Sequence, residues 1–227
     1  MTSFNSIYQN AIEQKGSEAN LKALIKGRYS YQPHTISDIN NITDDRYLST
    51  ISLRIFRAGL KHSLVDAKWP AFEKAFHNFN ILGNAHLSDD AIAEHMQNTD
   101  LIRHLGKIKA IRINAGMILH ASEEHGSFAQ FIRQWPENDV IGLWAYLKKH
   151  GSQLGGVSGA YVLRMTGRDT FMFTNDVVTA LIARKIIDKK PTAQRDLLAV
   201  QEKFNQWREE SGWSYADLSL LLALTVG

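Results

Sequence analysis

The sequence predicts an all-α fold of about ten helices, and three observations carry that reading. Apolar side chains recur at helical spacing along most of the chain. Short polar residues of the kind that cap helices stand where those stripes begin. No run shows the apolar–polar alternation of a half-buried strand, and the one β-like stretch, Thr170 to Thr174, is too short to build a sheet.

Leu53, Phe56, Leu60 and Leu64 fall on one helical stripe, and Phe72, Phe76 and Phe79 repeat the spacing after a break expected at Trp69-Pro70. Ser88 is an N-cap, with Asp89 and Asp90 in the first turn where the helix dipole favours anions. A long helix starts near Leu105 and stops before Gly126, with Ile108, Ile111, Ala115 and Ile118 on one face. Phe128 to Trp135 is a short helix ended by Pro136, and Leu143 to His150 another, ended by Gly151. Tyr161 to Thr166 follows a glycine-rich turn. Val177 to Ile187 is apolar and ends in cations. Thr192 is expected to cap Ala193 to Arg208, and Ser214 to Asp217 reads as a capping box for the last helix. The polar stretch Lys26 to Asn41, with Gly27 and Pro33, is expected to be a mobile loop.

Composition excludes several classes. The 227 residues are 44% apolar and 22% charged, enough to bury a core and too apolar for a disordered chain. With no cysteine there is neither a disulfide framework nor a thiolate zinc site, and the histidines show no close pair with a carboxylate beside it, so no zinc site is expected. Met1 to Asn10 lacks the basic-then-apolar pattern of a signal peptide, and Leu218 to Val226 falls far short of a membrane span. A cytoplasmic protein with no membrane partner is the expectation.

Charge is unevenly placed. Net charge is +3, yet Trp144 to Lys190 carries eight Lys and Arg against three Asp. A second basic group, Arg103, Lys107, Lys109 and Arg112, lies upstream. Clustered cations suit a polyanion such as DNA, or form a solvated surface.

The chemistry concentrates in Leu147 to Tyr161, read as helix, tight turn, helix. The glycines of Leu154-Gly155-Gly156-Val157-Ser158-Gly159 permit positive φ and close approach of another backbone. The amides opening the second helix point outward and form an anion site that fits a DNA phosphate. An ordinary helix–helix connection would read the same way. Further on, Thr174-Asn175-Asp176-Val177-Val178 puts Asp176 just before an apolar helix, as a cap or as a reactive carboxylate.

This combination resembles the helix–hairpin–helix DNA glycosylase superfamily. Leu101 to Ile111, Asn114-Ala115, Ala58-Gly59-Leu60 and Trp69 to Phe76 are similar to a narrower group, the DNA-3-methyladenine glycosylase I family. The resemblance runs from about Ile51 to Leu181. It implies two closely packed helical lobes with a cleft between, within one glycosylase-like domain over 1–227 whose hairpin occupies about 144–167. It implies that Gly155, Gly156, Val157, Ser158 and Gly159 grip the backbone of double-stranded DNA containing damaged bases. Asp176 would stabilise the cation-like sugar as the N-glycosidic bond of an extruded base breaks. The hairpins of this superfamily also suggest a monovalent cation there, without zinc. The expected protein is a monomeric, monofunctional base-excision repair enzyme that removes alkylated purines such as 3-methyladenine. The alternative is a catalytically weak or inactive DNA-binding protein that recognises lesions or structure.

Candidates for the base pocket are Tyr8, Phe56 and Tyr161 as stacking surfaces, with Trp144 beside them, and Arg54 and His62 by position. Core packing is the competing reading for each aromatic, above all for Phe56 on its apolar stripe, while Tyr161 follows the hairpin and is placed nearer DNA. The chain departs from the family's pattern in three places. Arg54 stands where its members carry a glutamate that reads the methylated adenine, and a cation there would repel a cationic base by about one to several kcal/mol. His62 replaces a tryptophan. The zinc that ties the family's termini together has no cysteine ligands here, so apolar contacts through Leu218 and Leu222 are expected instead. Strand-cutting members place a lysine after the hairpin, where this chain reads Ser158-Gly159-Ala160, so no Schiff base is expected. Arg57 and Lys61 are expected to be solvated.

Overall fold

The computed structural model describes residues 2–29 and 42–226. Among them the chain forms thirteen α-helices and no strand, and no helix is long and apolar enough to cross a membrane. The described residues divide into two units, one built from 2–29, 137–141 and 169–226, the other from 42–136 and 142–168.

The second unit holds α3 (Asp44–Arg57), α4 (His62–Ala75), α5 (Ile81–Ala85), α6 (Asp89–Gln97), α7 (Leu105–His125), α8 (Phe128–Gln134), most of α9 (Val140–His150) and α10 (Val157–Met165). The long helix α7 is its centre and packs against α3, α5, α6 and α8. Its buried face carries Ile108, Ile111, Ala115 and Ile118, as its periodicity predicts, and it ends at Gly126 with φ 83°. Ser88 caps α6 by accepting from the Ala91 amide at 3.1 Å.

Helix α3 is fixed at both ends by side chains of α7. At its start, Asp44 accepts from the Ser122 hydroxyl at 2.5 Å and from the Phe128 amide at 2.9 Å. At its end, the Lys107 ammonium donates to the carbonyls of Phe56 (3.2 Å) and Ala58 (2.7 Å), the oxygens a helix C-terminus leaves unsatisfied. The stripe expected through Leu60 and Leu64 is therefore interrupted. The helix stops at Arg57, Gly59 takes φ 76°, and both leucines are exposed.

Pro70 does not break α4, which continues to Ala75. Trp69, Phe72, Phe76 and Phe79 stack with ring centroids 5.0 to 5.9 Å apart and interplanar angles of 13° to 16°. Arg46 forms a two-pronged ion pair with Glu73 and donates to the Asn78 carbonyl, bracing the left-handed turn at His77–Phe79 below that stack.

The first unit contains α1 (Phe4–Lys15), α2 (Glu18–Tyr29), α11 (Asn175–Ala183), α12 (Gln194–Ser211) and α13 (Tyr215–Leu224). Helix α13 packs on α1, α2, α11 and α12, with Leu218 and Leu222 buried. Ser214 caps it as the capping-box reading requires, and the Asp169 carboxylate accepts from the amides of Tyr215 and Ala216. The Trp207 indole donates to the Thr2 carbonyl and Glu210 accepts from the Phe4 amide, so the N-terminal segment is tied to α12. Two expectations change here. Ala193 rather than Thr192 occupies the cap position of α12, with no side-chain bond. Of the Lys26–Asn41 stretch, Lys26 to Tyr29 belongs to α2, and the remainder lies outside the described residues.

Candidate active site

The glycine-rich turn joins α9 to α10 as a tight hairpin whose shape is enforced from both sides. A Cβ at position 151 would lie 2.8 Å from the Leu147 carbonyl and 2.8 Å from the Asn114 side-chain oxygen, and one at 159 would lie 2.9 Å from the Leu154 carbonyl. Gly156 opens α10 with φ 60°, and Gln153 also takes a positive φ. Among the described residues the amides of Gly155, Gly156 and Val157 make no hydrogen bond, so they are available to an anion at the N-terminus of α10. Gly156 is exposed and Gly155, Val157 and Ser158 are half-buried, while Gly159 lies inside, against α9.

Two side chains absent from the sequence reading of this site hold the turn in place. Asn114, fully buried on α7, accepts from the Ser152 amide at 2.8 Å and donates to the Ser152 carbonyl at 3.2 Å. Gln153 donates to the Gly106 carbonyl at 2.9 Å. The signal for Asn114 was an amide on an otherwise apolar helix face, between Ile111 and Ile118.

Of the pocket candidates, the fold brings Arg54 and Tyr161 together. The Arg54 guanidinium lies 4.5 Å from the centroid of the Tyr161 ring. Arg54 is half-buried and its Nε is covered without a hydrogen-bond partner. Burial holds its pKa below the usual arginine value, and the Arg57 charge acts in the same direction. Phe56 is fully buried, edge-on to Phe72 at 4.6 Å and to Trp69 at 6.2 Å. His62 is exposed at the start of α4. Trp144 packs partly buried against the core. Tyr8 belongs to the other unit, where it donates to Glu18 at 2.8 Å and lies against Phe4 and Trp213.

Asp176 lies in the first unit, in the opening turn of α11, and is exposed. It is not the cap, because Thr174 takes that position and accepts from the Val177 amide at 3.3 Å. The segment before it is anchored by buried Phe171, Met172 and Phe173, with the Met172 amide donating to Ser219 of α13. The carboxylate is thus presented from a fixed backbone.

Several cations counted toward a DNA surface have structural work instead. Lys107 is buried as described, its pKa lowered by burial and by the Arg54 charge. Arg112 pairs with Asp89 and donates to the Leu87 carbonyl, and Arg168 donates to the carbonyls of Trp135 and Pro136. Arg57, expected to be solvated, is nearly buried and paired with Asp66 at 2.7 Å. Lys148, Lys149, Lys185, Lys189 and Lys190 are exposed. No group of three or more His, Asp or Glu among the described residues could hold a metal ion.

Comparison with known proteins follows the same lines. The family model described as methyladenine glycosylase matches residues 39–153. No curated protein matches the sequence. Among solved structures, 3-methyladenine DNA glycosylase I from Staphylococcus aureus is 21% identical, with 62% of this chain and 84% of that one covered at a TM-score of 0.52. The 8-oxoguanine glycosylase/lyase of Methanocaldococcus jannaschii, solved with DNA containing 8-oxoguanine, is 16% identical over 95% of this chain and 94% of that one, at a TM-score of 0.53. The 8-oxoguanine DNA glycosylase of Thermotoga maritima is 16% identical over 97% of both chains, at a TM-score of 0.52. At these identities the likeness is one of fold, and that fold is the all-α helix–hairpin–helix glycosylase architecture. With just over half of its length matched by the family model, the chain belongs to the methyladenine glycosylase family.

Proposed function

We propose that the protein is a monofunctional DNA glycosylase that hydrolyses the N-glycosidic bond of modified purines in base-excision repair, alkylated purines such as 3-methyladenine being the first class to test. The observation that carries the reading is the hairpin turn with its unpaired amides in a chain of this family. Those amides would take a phosphate of damaged duplex DNA, with no contact to any base. The target nucleotide leaves the stack at a cost of about a few kcal/mol, least for a damaged base. The Asp176 carboxylate then stabilises positive charge on the sugar and orients water. The water oxygen bonds to C1′, the base departs with the electron pair of the broken bond (neutral if it was cationic, otherwise as an anion that takes up a solvent proton), and the water proton passes to Asp176. With Ser158-Gly159-Ala160 after the turn there is no amine to form a Schiff base, so the product is an intact abasic strand. A monovalent cation at the turn would be held by neutral oxygens, main-chain carbonyls first, since residues 151–159 include no carboxylate, and no step above passes through it. The protein would act as a monomer.

The test is base release from duplex DNA carrying methylated purines and from duplex carrying hypoxanthine. Release by the wild type that exceeds release by Asp176→Asn supports the reading; equal release ends the catalytic assignment. A second reading, DNA recognition without excision, is favoured by Arg54, whose uncompensated charge is unsuited to a cationic base. It would appear as salt-dependent duplex binding with no base released.

A further inference from the structure

We propose that Arg54 and Tyr161 form a base-recognition site that selects neutral purines presenting hydrogen-bond acceptors, a carbonyl where adenine has an amino group, and disfavours cationic alkylated purines. The inference rests on the glycosylase reading and narrows its substrate class.

Arg54 differs from the other arginines of α3. Arg46 is paired with Glu73 and Arg57 with Asp66, whereas no carboxylate pairs with Arg54 among the described residues. Its Nε is covered and lacks an acceptor. With Nε covered, a ligand would meet the terminal guanidinium nitrogens, which make no hydrogen bond among the described residues. Tyr161, on the hairpin's second helix, has the guanidinium 4.5 Å from its ring centroid and is itself 39% exposed, so part of the ring remains open to a stacking partner. The neighbouring cation Lys107 already donates to two carbonyls, so it adds positive potential to the region. The site therefore offers a planar forked donor, an aromatic face and positive charge. That set matches an acceptor-bearing planar ring and opposes a cationic one. A phosphate oxygen offers the same acceptor chemistry, and the experiment separates the two.

Wild-type protein, Arg54→Gln and Arg54→Lys are assayed for base release from a duplex containing one hypoxanthine and from dimethyl-sulfate-treated duplex, and for binding to undamaged duplex across a salt series. The expected result is hypoxanthine release that falls roughly 10- to 100-fold in Arg54→Gln, with release of 3-methyladenine unchanged or raised. Arg54→Lys, which keeps the charge and loses the fork, should still discriminate against 3-methyladenine while releasing hypoxanthine more slowly. A wild-type preference for 3-methyladenine that Arg54→Gln leaves unchanged overturns the proposal. So does a drop in undamaged-duplex affinity in Arg54→Gln with a salt slope smaller by about one, which assigns the guanidinium to a phosphate. If no base is released from any duplex, the glycosylase reading falls and the recognition site is read from binding instead. Tighter binding of the hypoxanthine duplex that Arg54→Gln abolishes would support it, and equal binding of both duplexes overturns it.

Discussion

Asn114 grips the main chain of Ser152 from both sides, its oxygen taking the amide proton at 2.8 Å and its nitrogen reaching the carbonyl at 3.2 Å. A buried amide on the central helix thereby sets the position of the hairpin turn. Asn114→Ala removes both bonds and leaves the Ser152 groups unpaired, a loss of about 2–3 kcal/mol. Urea denaturation should show that loss, and duplex affinity should fall with it because the turn amides are no longer held in register.

Gly151 is the tightest point of the same turn. Gly151→Ala pushes a methyl group into the Leu147 carbonyl and the Asn114 oxygen, both within 2.8 Å. The expected destabilisation is about 1–3 kcal/mol, read as a lower melting temperature. An unchanged melting temperature would contradict the geometry.

Asp176 is exposed and Thr174 supplies the cap of α11, so Asp176→Asn should alter stability by less than about 1 kcal/mol, the size of a lost helix-dipole interaction. If the carboxylate serves the chemistry, single-turnover base release should fall by about 100-fold or more in the same protein. Thermal melting and release kinetics on one preparation separate the two effects.

Lys107 is expected to matter for folding more than for charge. Lys107→Met keeps the buried stem and leaves the carbonyls of Phe56 and Ala58 without a donor, which costs about 1–3 kcal/mol. Chemical denaturation measures this directly. Loss of DNA affinity at full stability would show that the ammonium faces phosphate instead.

Alkaline pH should destabilise the protein through Tyr47, whose pKa burial raises from 10.0 to about 12. The folded state keeps the phenol proton while the unfolded chain loses it above pH 10, so the contribution is complete below pH 10 and is lost as pH rises toward 12. Two pKa units correspond to roughly 3 kcal/mol. Denaturation midpoints of wild type and Tyr47→Phe, compared between pH 9 and 12, should differ in slope, with the variant flatter.

Local signals were the legible part of the fold. Ser88 and Ser214 mark helix starts through hydrogen bonds made within a few residues, Gly126 ends α7 with a positive φ, and the sequence identifies all three. The same kind of signal, Ser3 before Phe4 and Gly16 after Lys15, delimits α1, which the apolar pattern alone did not disclose. Pro70 reads locally as a break, yet α4 runs through it, and the aromatic stack that secures the helix involves Phe76 and Phe79, beyond the helix itself. Charge was the least legible property. Lys107 and Lys109 look alike in sequence, yet one is buried under α3 and the other exposed, a distinction only tertiary packing makes. At the site, the hairpin was readable from its glycines, whereas the pairing of Arg54 with Tyr161 joins residues more than a hundred positions apart and leaves no local mark.

Because the helices of the first unit come from both extremes of the chain, with Thr2 and Phe4 bonded to Trp207 and Glu210, its core cannot close until α12 and α13 have been synthesised. The second unit draws on a nearly unbroken stretch and can bury Ile108, Phe56 and Phe72 while translation is still under way. The hairpin should therefore be set on its finished support before α13, on which the helix bearing Asp176 packs, has been made, an order of assembly that time-resolved proteolysis of ribosome-bound chains would reveal.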